Sequence, residues 1–136
     1  MRIVVIDGMG GGMGAQLVQG LVRELGEKVE IWALGTNAIA TAAMVKAGAS
    51  KGATGENAIR VSAKMAQIVM GPLGIIVPNA LMGEITPEIA EIVSNLNCRK
   101  ILLPVNQPHV ELVGFQSGPL NELIKEAVKL VRDSLC

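Results

Sequence analysis

An apolar run, Ile3-Val4-Val5-Ile6, ends in Asp7-Gly8-Met9-Gly10-Gly11-Gly12-Met13-Gly14, and a helical pattern begins at once. Ala15, Val18, Leu21, Val22 and Leu25 recur at the spacing of one helix face. A continuous run of β-branched residues suits a strand buried on both faces, and such strands belong to parallel sheets covered by helices. Arg2 to Ile6 is therefore the predicted first strand, and the glycines form its exit loop. A loop so placed lies at the carboxyl end of a strand. There, backbone N–H groups and a helix N-terminus converge on a ligand, and their charge suits a phosphate.

Five glycines among residues 8–14 satisfy two templates. Gly10-Gly11-Gly12-Met13-Gly14-Ala15 fits G-x-G-x-x-A, a form of the dinucleotide fingerprint. Gly8-x-x-x-Gly12-x-Gly14 fits G-x-x-x-G-x-G and resembles the short-chain dehydrogenases. The second register is preferred, because Gly8 then follows the strand directly and Gly14 lets the helix pack close to the sheet. Glycine is needed where φ is positive or where a Cβ would block the approach of a phosphate. The competing explanation is a tight turn that holds no ligand.

Two features depart from a nicotinamide site. The second strand, predicted over Val29 to Leu34, ends in Gly35-Thr36-Asn37, with no acid to take the ribose hydroxyls. Glu30 lies at its other end, and no Arg follows to hold a 2′-phosphate. Thr36 and Asn37 are left as ribose contacts, Asn37 the better one. Asp7 is the second departure, since a bare carboxylate beside a phosphate nest is repulsive. It is expected to accept hydrogen bonds from the loop amides, the other option being to face the ligand through a metal.

The 136 residues suffice for one domain with a full core, and half of them are hydrophobic although only one Trp, one Phe and no Tyr occur. Zero formal net charge and the lack of a basic stripe or stacking aromatics argue against nucleic acid as a partner. Cys98 and Cys136 form no disulfide framework, which fits a reducing cytoplasm, and the opening strand is unlike a signal peptide. Residues 65–83 carry no charge, but Gly71, Pro72, Gly74 and Pro78 break any spanning helix, so no membrane partner is expected.

Further elements alternate. A helix is predicted over Asn37 to Ala47 with Gly48 as its cap, a short strand over Ala49 to Thr54, and a helix from Glu56-Asn57 to Met65. A strand over Gln67 to Met70 is closed by Gly71-Pro72-Leu73-Gly74. Ile75 to Met82 is apolar and irregular, and could serve as a dimer interface. Thr86-Pro87-Glu88 is a helix start, with a capping residue, Pro at the first helical position and an early acid. Lys100 to Val105 is the fifth strand, Asn106 to His109 a turn, and Val110 to Phe115 an antiparallel edge strand. Pro119 opens the last helix, which faces the core through Leu120, Leu123, Ile124, Ala127, Val128 and Val131. The sum is one doubly wound, mostly parallel α/β domain.

In such a sheet the strand exits share one edge. The glycine loop, Gly35-Thr36-Asn37, Gly71-Pro72-Leu73-Gly74 and Asn106 would thus meet at a common site. Tyr-x-x-x-Lys chemistry is excluded by the absence of Tyr. The single His109 lies in a turn, without a G-x-S-x-G elbow, and no metal-ligand spacing occurs. Glu56 and Glu84 are the candidate catalytic carboxylates. Each follows a glycine in an uncharged neighbourhood, where a raised pKa would suit acid–base work; the alternative is helix capping or a solvated loop. Cys98 is either a thiolate nucleophile or a residue that simply precedes a strand.

Asp-Gly-x-Gly-Gly-Gly-x-Gly at 7–14, Ala-Leu-Gly-Thr-Asn at 33–37, Gly-Ala-Thr-Gly-Glu-Asn at 52–57, Gly-Pro-x-Gly-Ile at 71–75 and Gly-Glu-Ile-Thr-Pro at 83–87 together resemble one family. It is a group of small, uncharacterised bacterial proteins known as a domain of unknown function. The resemblance implies a Rossmann-like fold and a cytoplasmic bacterial protein, and no reaction. The expectation is a protein that binds a nucleotide, a dinucleotide such as NAD(P), or another phosphorylated small molecule. Asp7, Gly8, Gly10, Gly11, Gly12, Met13 and Gly14 would hold it, with Gly35, Thr36, Asn37, Gly71 and Pro72. A homodimer or higher homo-oligomer is expected. The alternatives are a small oligomeric NAD(P)-dependent reductase and a ligand-free interaction subunit.

Overall fold

A computed structural model describes every residue except Asn106, Gln116, Ser117 and Cys136. Strands and helices alternate: β1 (Arg2–Asp7), α1 (Gly12–Leu25), β2 (Glu30–Gly35), α2 (Ala38–Lys46), β3 (Lys51–Thr54), α3 (Glu56–Ser62), β4 (Ile68–Pro72), α4 (Pro87–Ser94), β5 (Arg99–Leu103) and α5 (Leu120–Ser134). The strands form one sheet in the order β3-β2-β1-β4-β5, with every pairing parallel. This is the doubly wound arrangement that the alternation predicts. The chain winds outward from β1 to β3, then returns to lay β4 on the other side of β1. The order reverses there, and the exits of β1 and β4 stand side by side.

Side chains of β1 alternate between two cores, as the pleat requires. Ile3 and Val5 pack with Leu17, Val18 and Leu21 of α1, Met44 of α2, and Ile124, Val128 and Val131 of α5. Val4 and Ile6 pack with Ile59 of α3 and Ile89 and Val93 of α4. Both faces are dry, which is why β1 is apolar at every inward position. Gly20 lets α1 and α5 cross closely: a Cβ there would meet Val128 at 3.3 Å and Ile124 at 3.4 Å.

One expectation is corrected. Residues 110–115 form no edge strand. His109 and Gly114 have positive φ, and the Phe115 amide bonds the Leu112 carbonyl, so the segment turns on itself beside β5. The stretch 75–82 is divided between the molecule's own core and its surface. Ile75 and Ala80 are buried with Ile85 under the β4–α4 connection, while Pro78, Asn79 and Met82 are exposed.

Candidate functional site

Asp7 closes β1, and its carboxylate turns under the glycine loop. Oδ1 accepts from the Gly8 amide at 2.8 Å and Oδ2 from the Gly14 amide at 2.7 Å. Asp7 is only 5% exposed and holds the loop from below through these two bonds. Burial pushes its carboxyl above the ordinary value of 3.8. The Gly14 and Gly8 amides pull it down, and the charge of Glu84 adds to the rise.

The glycines divide by what demands them. Gly11, the N-cap of α1, has φ 75 and abuts Ala40 of α2. Gly14 brings α1 against the sheet, because a Cβ there would lie 2.6 Å from Met44 Sδ and 2.8 Å from Asp7 Cβ. A Cβ on Gly8 would lie 2.9 Å from Glu84 Oε1. Gly10 and Gly12 differ from all three, since neither has positive φ and a Cβ on either would meet nothing within 4 Å. The amides of Gly10, Gly12 and Met13 have no partner among the described residues.

Thr36 and Asn37 follow β2 and reach the same loop. Asn37 caps α2, its Oδ1 accepting from the Ala40 amide at 2.8 Å, while its Nδ2 donates to the Met9 carbonyl at 2.9 Å. Glu84 joins them from the β4–α4 connection. Its Oε1 accepts from Thr36 Oγ1 at 2.6 Å, Asn37 Nδ2 at 2.8 Å and the Met9 amide at 2.9 Å. The Thr36 hydroxyl foremost holds this carboxyl below its ordinary value of 4.5, burial opposing, with the Met9 amide and Asn37 assisting. Glu84 is therefore an ionised acceptor rather than the proton donor that a raised pKa would make it.

Glu56 is corrected in the same way. Thr86 Oγ1 donates to it at 2.6 Å and Arg60 bridges it at 3.2 Å, so its carboxyl too is lowered, by Thr86 first. The pair ties the start of α3 to the N-cap of α4, where Thr86 Oγ1 also accepts from the Ile89 amide. An uncharged sequence neighbourhood did not mean an apolar one, because both carboxylates gain donors from distant parts of the chain.

The remaining candidates scatter. Gly35 is required by packing, since a Cβ would strike Thr41 of α2, and Gly71 by the nearby Ile6 carbonyl; Pro72 is buried. Asn106 lies outside the described residues. His109 lines a crevice of about 480 Å³ with Met9, residues 78–82, Gln107 and Pro108, within the size range of small-ligand sites. A larger hollow of about 730 Å³, near Cys98, opens at the amino ends of β4 and β5, away from the switch point. No three metal-ligating side chains gather among the described residues, and no described helix is long and apolar enough to cross a membrane. The sequence expectation of a raised pKa at Glu84 is reversed, and the walls built by 78–82 and 107–109 were missed. One signal for Glu84 was available: it is the first charge after the uncharged residues 65–83.

Strand order, glycine loop and switch-point position together define a doubly wound α/β domain of the Rossmann and flavodoxin kind. Within that class, the chain belongs to the family described as Domain of unknown function (DUF3842), whose profile matches residues 2–135. Among solved structures it is similar to "An arsenate reductase in the phosphate binding state", with 17% identity, TM-score 0.50 and 100% of both chains covered. That likeness shows the fold alone. A more distant likeness is to a dodecameric FMN-dependent Ubix-like decarboxylase from Escherichia coli O157:H7, with 15% identity and TM-score 0.44, covering 98% of this chain and 93% of that one. No functionally curated protein matches the chain in sequence.

Proposed function

We propose that this protein binds a nucleotide, with a phosphate on the β1–α1 loop. The observation that carries the reading is the pair Gly10 and Gly12. The fold requires glycine at neither position, yet both border open space beside the unpartnered amides of Gly10, Gly12 and Met13. Bare backbone that approaches a ligand is the remaining physical reason for glycine there. Asp7 and Glu84 occupy the amides of Gly8, Met9 and Gly14, so a phosphate belongs on the outer amides, at the start of α1.

Gly12→Val separates this reading from a ligand-free turn. The variant should match the thermal midpoint of the parent, since its side chain enters open space. Its affinity for NAD⁺, ATP or GTP, whichever the parent binds most tightly in calorimetry, should fall at least about tenfold, the loss of one charge-assisted hydrogen bond. Unchanged affinity in a folded variant, or no binding of any nucleotide by the parent, would sink the proposal. We further propose that the protein assembles with copies of itself. The supporting feature is now the exposed apolar segment containing Val110, Leu112, Val113 and Phe115.

A further inference from the structure

We infer that Glu84 reads the ribose of the bound nucleotide, so that the ligand is a ribonucleotide whose 2′-hydroxyl is unsubstituted. This rests on the nucleotide-binding reading above and adds to it the part of the ligand that is recognised. In doubly wound sheets an acid at the end of β2 takes that hydroxyl. Here β2 ends in Gly35-Thr36-Asn37, with no acid of its own. The structure brings one to that place from the β4–α4 connection, 48 residues away from Thr36 in the chain.

The way Glu84 is held suits the task. All three of its hydrogen bonds, from Thr36, Asn37 and Met9, fall on Oε1. Oε2 has no partner among the described residues and no Lys or Arg side chain bonds to Glu84, so a full acceptor remains for a donor from outside the chain. An ionised carboxylate only accepts hydrogen bonds. It therefore attracts a hydroxyl and repels a phosphate at the same position.

The backbone fixes the carboxylate firmly. Asn79, Leu81, Met82 and Gly83 all have positive φ, and the loop they form is closed by bonds from the Asn79 amide to the Ile85 carbonyl (2.7 Å) and from the Ile85 amide to the Ala80 carbonyl (3.1 Å). Ile85 is wholly buried and anchors the end of the loop. Such conformations persist only where the surroundings over-determine them, and they gather at ligand sites. The absent Cβ of Gly8 leaves the space in which Oε1 approaches.

The test titrates the intact protein with NAD⁺ against NADP⁺, ATP against dATP, and GTP against dGTP, in calorimetry. The member of each tight-binding pair that carries a free 2′-hydroxyl should win by at least about tenfold. Glu84→Gln should weaken the ribonucleotide and strengthen NADP⁺, collapsing the ratio, because a neutral amide no longer repels the 2′-phosphate. Gly12→Val should lower both members of a pair equally and preserve the ratio. Equal binding of ribo and 2′-deoxy or 2′-phospho forms by the parent overturns the ribose assignment and leaves the phosphate reading standing. Preserved discrimination in folded Glu84→Gln overturns it too, and no binding of any probe overturns both.

Discussion

Asp7 shows how much one side chain can decide in this fold. Its two oxygens answer two amides, Gly8 and Gly14, and thereby pin both ends of the glycine loop to the end of β1. Asn in its place would aim an NH2 at one of those N–H groups in either flip state. Asp7→Asn should therefore lower stability by about 1–3 kcal/mol, the cost of an unsatisfied buried donor. Chemical denaturation checks this, and an unaltered midpoint would mean that the loop is held by its own backbone. The part of Asp7 as a binder of loop amides was legible from sequence, because a carboxylate beside bare N–H groups has few other stable options. The division among the glycines was not, since five residues of one type look alike until their neighbours are in place.

At the scale of elements, the β4–α4 connection is held over the glycine loop by a charge. The Glu84 carboxyl has its pKa lowered from 4.5 in the fold, so its contribution to stability is present above 4.5 and lost as pH falls below that value. Asp7 runs the other way, because a raised pKa makes its contribution decline as pH rises from 3.8. The bond from the Met9 amide to Glu84 separates the two. Hydrogen-exchange protection of the Met9 amide should fall on acidification below 4.5 as Glu84 takes up its proton, whereas protection of the Gly14 amide should follow the separate titration of Asp7, which burial raises above 3.8. Parallel loss at both amides would show that the loop opens as one unit. The helix start at Thr86 was readable from its local pattern of cap, Pro and acid. The tie from Thr86 to Glu56 was not, because it joins groups 30 residues apart.

For the whole molecule, the exposed apolar side chains are unevenly placed. Val113 is fully exposed, with Val110, Leu112 and Phe115 in the same turn-rich segment beside the β5 edge, whereas the core side chains of 75–85 are buried. Light scattering should find an assembly larger than one chain, and Val113→Asp should shift it toward the monomer. A parent protein that stays monomeric at high concentration would show that this segment has another use.

The sequence by itself determined the class of fold. A β-branched run, a glycine exit and a helix face are local patterns, and two-sided burial admits few ways of joining them. It also determined the helix cap at Thr86 and the binding of loop amides by Asp7, each fixed by groups only a few residues apart. Tertiary structure alone decided that residues 110–115 turn instead of pairing, that Gly10 and Gly12 are the glycines the fold does not need, and that Glu84 bonds Thr36 and Asn37 beyond the end of β2. Those outcomes depend on which distant groups the packed sheet and its loops bring within hydrogen-bond reach, and spacing along the chain does not encode that distance.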